Sequence, residues 1–218
     1  MLGSSMKNDW LVVVSIASKS RPSYYQAQLA TWAKHQTFMV FQEDDARECQ
    51  RCKAVANREL WWKVGATEGW WCAQKRPLQA IHKAALKFPQ ATWFLIVDDD
   101  TFVNILSLKG LLLELQANQR ARYEFFGHIS YNDARWRQKN SRVASTYQAM
   151  GGAGYVLHKN AMRALLSPSS GGGAGSMIEM CINKTILGEW CWWNSDWAVA
   201  ECLEKVSVRP VGHPRFAQ

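Results

Sequence analysis

Five consecutive apolar residues, Trp93-Phe94-Leu95-Ile96-Val97, run directly into three carboxylates, Asp98, Asp99 and Asp100. The run carries no polar residue on either alternating face and is rich in aromatic and β-branched side chains. Such a segment reads as a strand covered on both sides, the kind found inside a parallel sheet with helices on its faces. The acids then emerge at the C-terminal edge of that sheet, where ligands bind in open α/β folds. Alternation along the strand predicts Asp98 and Asp100 on one side, about 7 Å apart.

Three like charges at a buried strand end resist ionisation unless a counter-charge is present. A hard divalent cation supplies one. Oxygen donors favour Mn²⁺ or Mg²⁺, which keep coordination positions for water and for phosphate oxygens. The competing reading is an acidic turn in which Asp100 caps the next helix.

Around this segment, strand and helix patterns alternate. Apolar runs predict strands over 10–17 and 37–41, with a helix over 23–34 between them. A helix over 77–88, with Leu78, Ile81, Ala85 and Phe88 at helical spacing and proline in its first turn, leads into the acid-bearing strand. A helix over 105–119, a strand over 125–129 and a helix reaching Leu166 follow. The alternation predicts an α/β fold, with a central, mostly parallel sheet flanked by helices. Residues 1–9 read as a linker and 10–218 as one domain, interrupted by a flexible, glycine-rich loop over 167–176. Before the helix that reaches Leu166 stands Met150-Gly151-Gly152-Ala153-Gly154-Tyr155-Val156-Leu157, whose glycines permit close backbone approach. It lacks the G-x-G-x-x-G spacing of a dinucleotide site.

The formal charge of +8 is spread along the chain without a basic block, which argues against a nucleic-acid partner. Twelve tryptophans include the pairs Trp61-Trp62, Trp70-Trp71 and Trp192-Trp193, and neighbours in a pair cannot all face one core. Most serve packing; some are expected on a concave surface, where flat rings suit sugar faces. The six cysteines include Cys49 and Cys52 in a C-x-x-C with no second pair to complete a zinc site, so disulfides are expected, with Cys202 joined to Cys181 or Cys191. Together with the glycosylation sequon Asn183-Lys184-Thr185 they point to the secretory pathway. The apolar run near residue 11 is too short for a signal peptide or a membrane span, so a lumenal protein of this kind would take its anchor from outside this chain.

Four segments in order, Thr31-Trp32-Ala33, Trp93 through Val103 with its acid triplet, Gly151-Gly152-Ala153-Gly154-Tyr155-Val156-Leu157 and Asp196-Trp197-Ala198-Val199-Ala200-Glu201-Cys202-Leu203, resemble the Fringe and core-1 β1,3-galactosyltransferase family. The resemblance spans nearly the whole chain. It implies a glycosyltransferase-A fold and an inverting, UDP-sugar-dependent β1,3-glycosyltransferase of the Golgi or another secretory lumen. It further implies a metal, usually Mn²⁺ with Mg²⁺ as the alternative, between the acids and the UDP diphosphate. Asp100 would be the direct ligand, Asp98 and Asp99 would meet the metal shell or the ribose, and His213 would complete the shell. Arg21 and Asp44 would hold the uridine. Lys75 matches a lysine ahead of the helix that leads to the triplet, where the plain alternative is a solvated helix-end lysine. Gly151 and Gly152 would approach the nucleotide.

Asp196 would be the general base that deprotonates an acceptor hydroxyl on a glycan or glycoprotein, with N-cap of its own helix as the alternative. Where relatives carry a second acid ahead of that position, this chain has Ser195. The resemblance admits galactose or N-acetylglucosamine as the transferred sugar, and the Tyr155-Val156-Leu157 ending leans to galactose. Two other classes compete: a non-catalytic carbohydrate-binding protein on the same scaffold, and a metal-dependent phosphohydrolase built on the acidic strand end.

Overall fold

The computed structural model describes residues 10–42, 75–117, 124–131, 147–169, 175–187, 195–213 and 216. Strand β1 (Leu11–Ile16) leads through helix α1 (Pro22–Ala30) to β2 (Thr37–Phe41). Helix α2 (Arg76–Lys87) leads into β3 (Trp93–Asp98), which α3 (Ile105–Ala117) follows. Three short strands come next, β4 (Phe125–Gly127), β5 (Ile129–Tyr131) and β6 (Tyr147–Ala149), then a 3-10 turn at Gly151–Ala153. The chain continues as β7 (Tyr155–His158), α4 (Lys159–Leu166), α5 (Met177–Leu187), α6 (Ser195–Glu204) and β8 (Val211–Gly212).

Six strands form one sheet in the order β2-β1-β3-β7-β4-β8. β1 pairs in parallel with both β2 and β3, β4 pairs in parallel with β8, and β7 lies antiparallel between β3 and β4. The sheet is therefore mostly parallel, as the alternation of elements predicts. The unbroken apolar strands have apolar cover on both faces. Leu11, Val13, Trp93, Leu95, Val97, Phe126 and Val156 pack on the buried leucines and Ile105 of α3. Val12, Val14, Phe94, Ile96 and Phe125 face the other way, toward Leu78 and Ile81 of α2, Leu165 of α4, Ile178 of α5 and Val199 and Leu203 of α6.

Several boundaries differ from those the sequence predicts, for local reasons. Helix α1 stops at Ala30, where the Thr31 hydroxyl donates back to the Ala27 carbonyl at 2.6 Å. The strand predicted over 125–129 ends at Gly127; beyond His128 the chain enters a separate two-stranded sheet of β5 and β6. A Cβ on Gly127 would lie 3.1 Å from Tyr155 Cβ and 3.2 Å from the Gly154 carbonyl, so a larger residue would press β4 away from β7 by a few tenths of an ångström. Helix α3 is capped by Asn104, whose side chain accepts the Ser107 N–H at 3.0 Å, and not by Asp100.

Cys202 pairs with Cys181, which staples α6 to α5. With a separation of 21 residues, such a link stabilises a fold by about 3 kcal/mol in the chain-entropy picture. Ser176 and Glu179 form a reciprocal cap at the start of α5: the Ser176 N–H and hydroxyl donate to Glu179 Oε2 at 2.7 and 2.8 Å, and the Glu179 N–H returns to Ser176 Oγ at 3.4 Å. The loop predicted over 167–176 is closed at its base by a bridge between Pro168 and Ser176, and residues 170–174 lie outside the described residues. Also outside them are residues 1–9, Asp44, Cys49, Cys52, Cys72 and Cys191, and the three tryptophan pairs. Among the described residues no helix is long and apolar enough to cross a membrane.

At the start of α4, His158 Nδ1 accepts the Asn160 N–H at 3.3 Å, a bond open only to the neutral ring. Burial, then the charges of Lys159 and Arg163, lower its pKa below the ordinary 6.5. A lowered folded-state value means that this stabilisation is complete above the unfolded pKa and is lost as pH falls through the folded one. The unfolding midpoint should therefore drop as pH falls below the ordinary histidine value of 6.5, and drop less in His158→Asn, which caps without titrating. Thermal melts of both proteins on either side of that value check it; equal slopes would remove His158 as the cause.

Candidate active site

β3 stops pairing at Asp98, opposite Ile16 at the end of β1. Asp99 and Asp100 lie in the turn that follows, so the strict alternation predicted for Asp98 and Asp100 ends one residue too early to align them. Asp98 continues the face of Phe94 and Ile96 and is partly buried, Asp99 is buried and Asp100 is exposed. The Asp99 N–H donates to the Ile16 carbonyl at 3.1 Å, and its carboxylate accepts the Ser18 N–H at 3.0 Å. Asp99 thus ties the ends of β1 and β3 together.

The turn is held from inside by a residue that sequence reasoning passed over. Gln28 is the buried residue of α1, 3% exposed. Its side-chain nitrogen donates to the carbonyls of Asp98 at 2.8 Å and Thr101 at 3.0 Å, while its oxygen accepts the Ser15 hydroxyl at 2.7 Å. Every atom of the amide that can form a bond is used. No local pattern marks Gln28, because one polar residue among the mixed side chains of α1 looks like surface.

The glycine motif reaches the same turn from the other side. The Thr101 hydroxyl donates to the Gly152 carbonyl at 3.1 Å. Gly154 has φ +75°, and a Cβ there would stand 2.9 Å from Val97 Cγ1 and 3.3 Å from the Ile96 carbonyl, so both conformation and space require glycine. A Cβ on Gly151 would lie 2.7 Å from Asp196 Oδ1. That close approach lets the Gly151 N–H donate to the Asp196 carboxylate.

Asp196 sits in the first turn of α6, which begins at Ser195, so it is no N-cap; its carboxylate is occupied by Gly151 and by the Ser195 hydroxyl at 3.3 Å. Where a second acid would repel it, Ser195 supplies a donor. Burial raises the Asp196 pKa, and the two hydrogen bonds partly oppose the rise. Asp98 is pushed up to about 7, first by burial and then by the charges of Asp196, Asp100 and Asp99. The acids of β3 and α6 therefore share one electrostatic neighbourhood. Tyr155 stands within it: its buried hydroxyl has no hydrogen-bond partner among the described residues, and burial followed by the charges of Asp196 and Asp98 raises its pKa.

The remaining predicted residues are distributed around this centre. Arg21 precedes α1, is exposed and lies over the Tyr24 ring at 5.0 Å. Lys75, at the start of α2, is buried, which replaces the solvated lysine of the plain alternative. His213 follows β8, donates its N–H to the Gly127 carbonyl at 3.1 Å and packs near Phe126 and Phe216. Those rings belong to the α3 face of the sheet, whereas Asp98 points to the face covered by α6. Among the described residues no group of three or more His, Cys, Asp or Glu side chains is gathered closely enough to hold a metal ion by itself.

The crystal structure of a glycosyltransferase involved in the glycosylation of the major capsid of PBCV-1 shares this fold, with a TM-score of 0.50 and 14% sequence identity over 93% of this chain and 81% of that one. The fold is that of a glycosyltransferase. The Fringe-like family profile matches residues 14–210, and the chain belongs to that family.

The glycine positions give a direct check. Gly154→Ala should destabilise by about 1–3 kcal/mol, through strain at positive φ and the contact with Val97. Gly110→Ala, where a Cβ in α3 meets nothing within 4 Å, should stabilise by about 0.5–1 kcal/mol. Denaturant unfolding of both variants measures the contrast, and a tolerated alanine at position 154 would refute the close packing described.

Proposed function

We propose that the protein moves a hexose, galactose or N-acetylglucosamine, from a UDP-sugar to a hydroxyl of a glycan or glycoprotein in β1,3 linkage with inversion. One observation carries this reading: a partly buried carboxylate, Asp196, is fixed by the Gly151 N–H beside the acid-bearing end of β3. An inverting transfer needs one base on the acceptor side and charge compensation on the diphosphate side, and it needs no second carboxylic acid to protonate the leaving group.

In that reaction the acceptor oxygen forms a bond to the anomeric carbon as the bond from that carbon to the UDP oxygen breaks. Asp196 takes the hydroxyl proton. Its raised pKa strengthens it as a base while the Gly151 and Ser195 bonds keep it oriented. Arg21 and Asp44 hold the uridine and Lys75 stands at the donor side, with Gly151 and Gly152 bringing backbone close to the nucleotide.

A divalent metal fits the donor set, since the acids offer only oxygen and their crowding leaves negative charge to be balanced. Asp100 would be the direct ligand and Asp98 its support, the remaining positions falling to phosphate oxygens and water, as is usual for Mg²⁺ and suits Mn²⁺ too. When bound, the ion supplies Lewis-acid stabilisation of the departing diphosphate. The Cys181–Cys202 disulfide supports work in an oxidising secretory lumen such as the Golgi.

Thermal melts with UDP-galactose and UDP-N-acetylglucosamine, with and without Mn²⁺, test the donor half, because a ligand of the native state raises the midpoint. Asp100→Ala should lose the Mn²⁺-dependent rise. Asp196→Asn should keep it while kcat for transfer falls by about 10²–10⁴. Full transfer by Asp196→Asn would remove the proposed base, and glycan binding by a wild type that ignores UDP-sugars would mark a carbohydrate-binding protein instead.

A further inference from the structure

The sequon Asn183-Lys184-Thr185 takes no part in the transfer site, and its setting is unusual for an acceptor of N-linked sugar. All three residues lie within α5. Asn183 is exposed, whereas Thr185 is 3% exposed and its hydroxyl donates to the Cys181 carbonyl at 2.7 Å. Residues two apart on an α-helix point to opposite sides, roughly 200° around the axis. An enzyme that glycosylates such a sequon has to engage the asparagine amide and the threonine hydroxyl together, and the wound helix presents only the first.

Unwinding α5 is resisted by its own packing. Ile178, Cys181 and Ile182 are buried in the core on the α6 side of the sheet, and Cys181, two residues ahead of the asparagine, is bonded to Cys202 of α6. The sequon is hidden once α5 is wound and readable only where the segment is unwound.

We propose that Asn183 is an N-glycosylation site accepted only before α5 winds and the Cys181–Cys202 bond closes, so that sugar attachment and disulfide closure compete for one segment. The donor is an oligosaccharide carried on a polyprenyl pyrophosphate. Asn183 Nδ2 forms a bond to the anomeric carbon as the bond from that carbon to the pyrophosphate breaks; the lipid pyrophosphate leaves and the amide gives one proton to the transferring enzyme's base. Thr185 is not consumed and is free to take up its bond to Cys181 afterward, while the exposed Asn183 carries the sugar into solvent. This inference does not depend on the donor or acceptor of the protein's own reaction.

The test offers the full chain to a purified oligosaccharyltransferase with lipid-linked oligosaccharide, once oxidised and folded and once kept reduced by thiol. The readout is the mass added at Asn183 and removed by peptide N-glycosidase. The reduced chain should be modified roughly tenfold or more faster than the oxidised one. Without reductant, Cys202→Ala should behave like the reduced chain, and Asn183→Gln should add nothing at this position. Equal rates for the oxidised and reduced chains, or a reduced chain left unmodified at Asn183, would overturn the proposal.

Discussion

The end of β3 depends on a buried amide. When a strand stops pairing inside a protein, its next carbonyls lose their ladder partners, and each unsatisfied one costs about 1–3 kcal/mol. Gln28 satisfies the Asp98 and Thr101 carbonyls with one nitrogen, and Ser15 of the neighbouring strand fixes the orientation of the amide. The acids therefore stand on a defined turn that is not free to spread as their charges repel. Asp99 adds a second clasp through Ser18, which makes it a part of the scaffold as much as a member of the acidic set.

Charge and space are balanced in the same few ångströms. Burial works against ionised Asp98 and Asp196, and neighbouring carboxylates add to it at Asp98, while the Gly151 and Ser195 donors work in favour of the ionised form of Asp196. The absence of a side chain at Gly151 is what lets the Asp196 carboxylate come that close. Gly154 serves a different need in the same motif, since it turns the chain with a positive φ onto Val97. Two glycines three residues apart thus have separate duties, one toward the carboxylate and one toward the sheet.

Long apolar patterns were legible in the sequence: β2 spans Thr37–Phe41 as its run predicts, and β3 emerges from an unbroken apolar segment because both of its faces are covered. The carboxylates and glycines of the site were legible too, as residue types whose crowding needs a reason. What escaped were contacts that only tertiary structure creates. Gln28 is distant in sequence from the carbonyls it serves, and His213 falls on the α3 side of the sheet because β8 pairs with β4. The Ser176–Glu179 cap is a different case, for the S-x-x-E pattern is visible in the sequence, just after the glycines of the loop. The choice of Cys181 over Cys191 follows from α5 and α6 packing side by side, which spacing alone does not decide.

One reversed strand changes what the sheet can bring to its working edge. Where every strand runs the same way, only the segments leaving those strands arrive at that edge. Because β7 is inverted between β3 and β4, the peptide entering it arrives there instead, and the stretch Gly151–Gly154 meets the segment departing from β3. A single flip of direction thereby assembles the centre from a beginning and an ending, and a chain with β7 turned around would carry those glycines to the far side of the molecule.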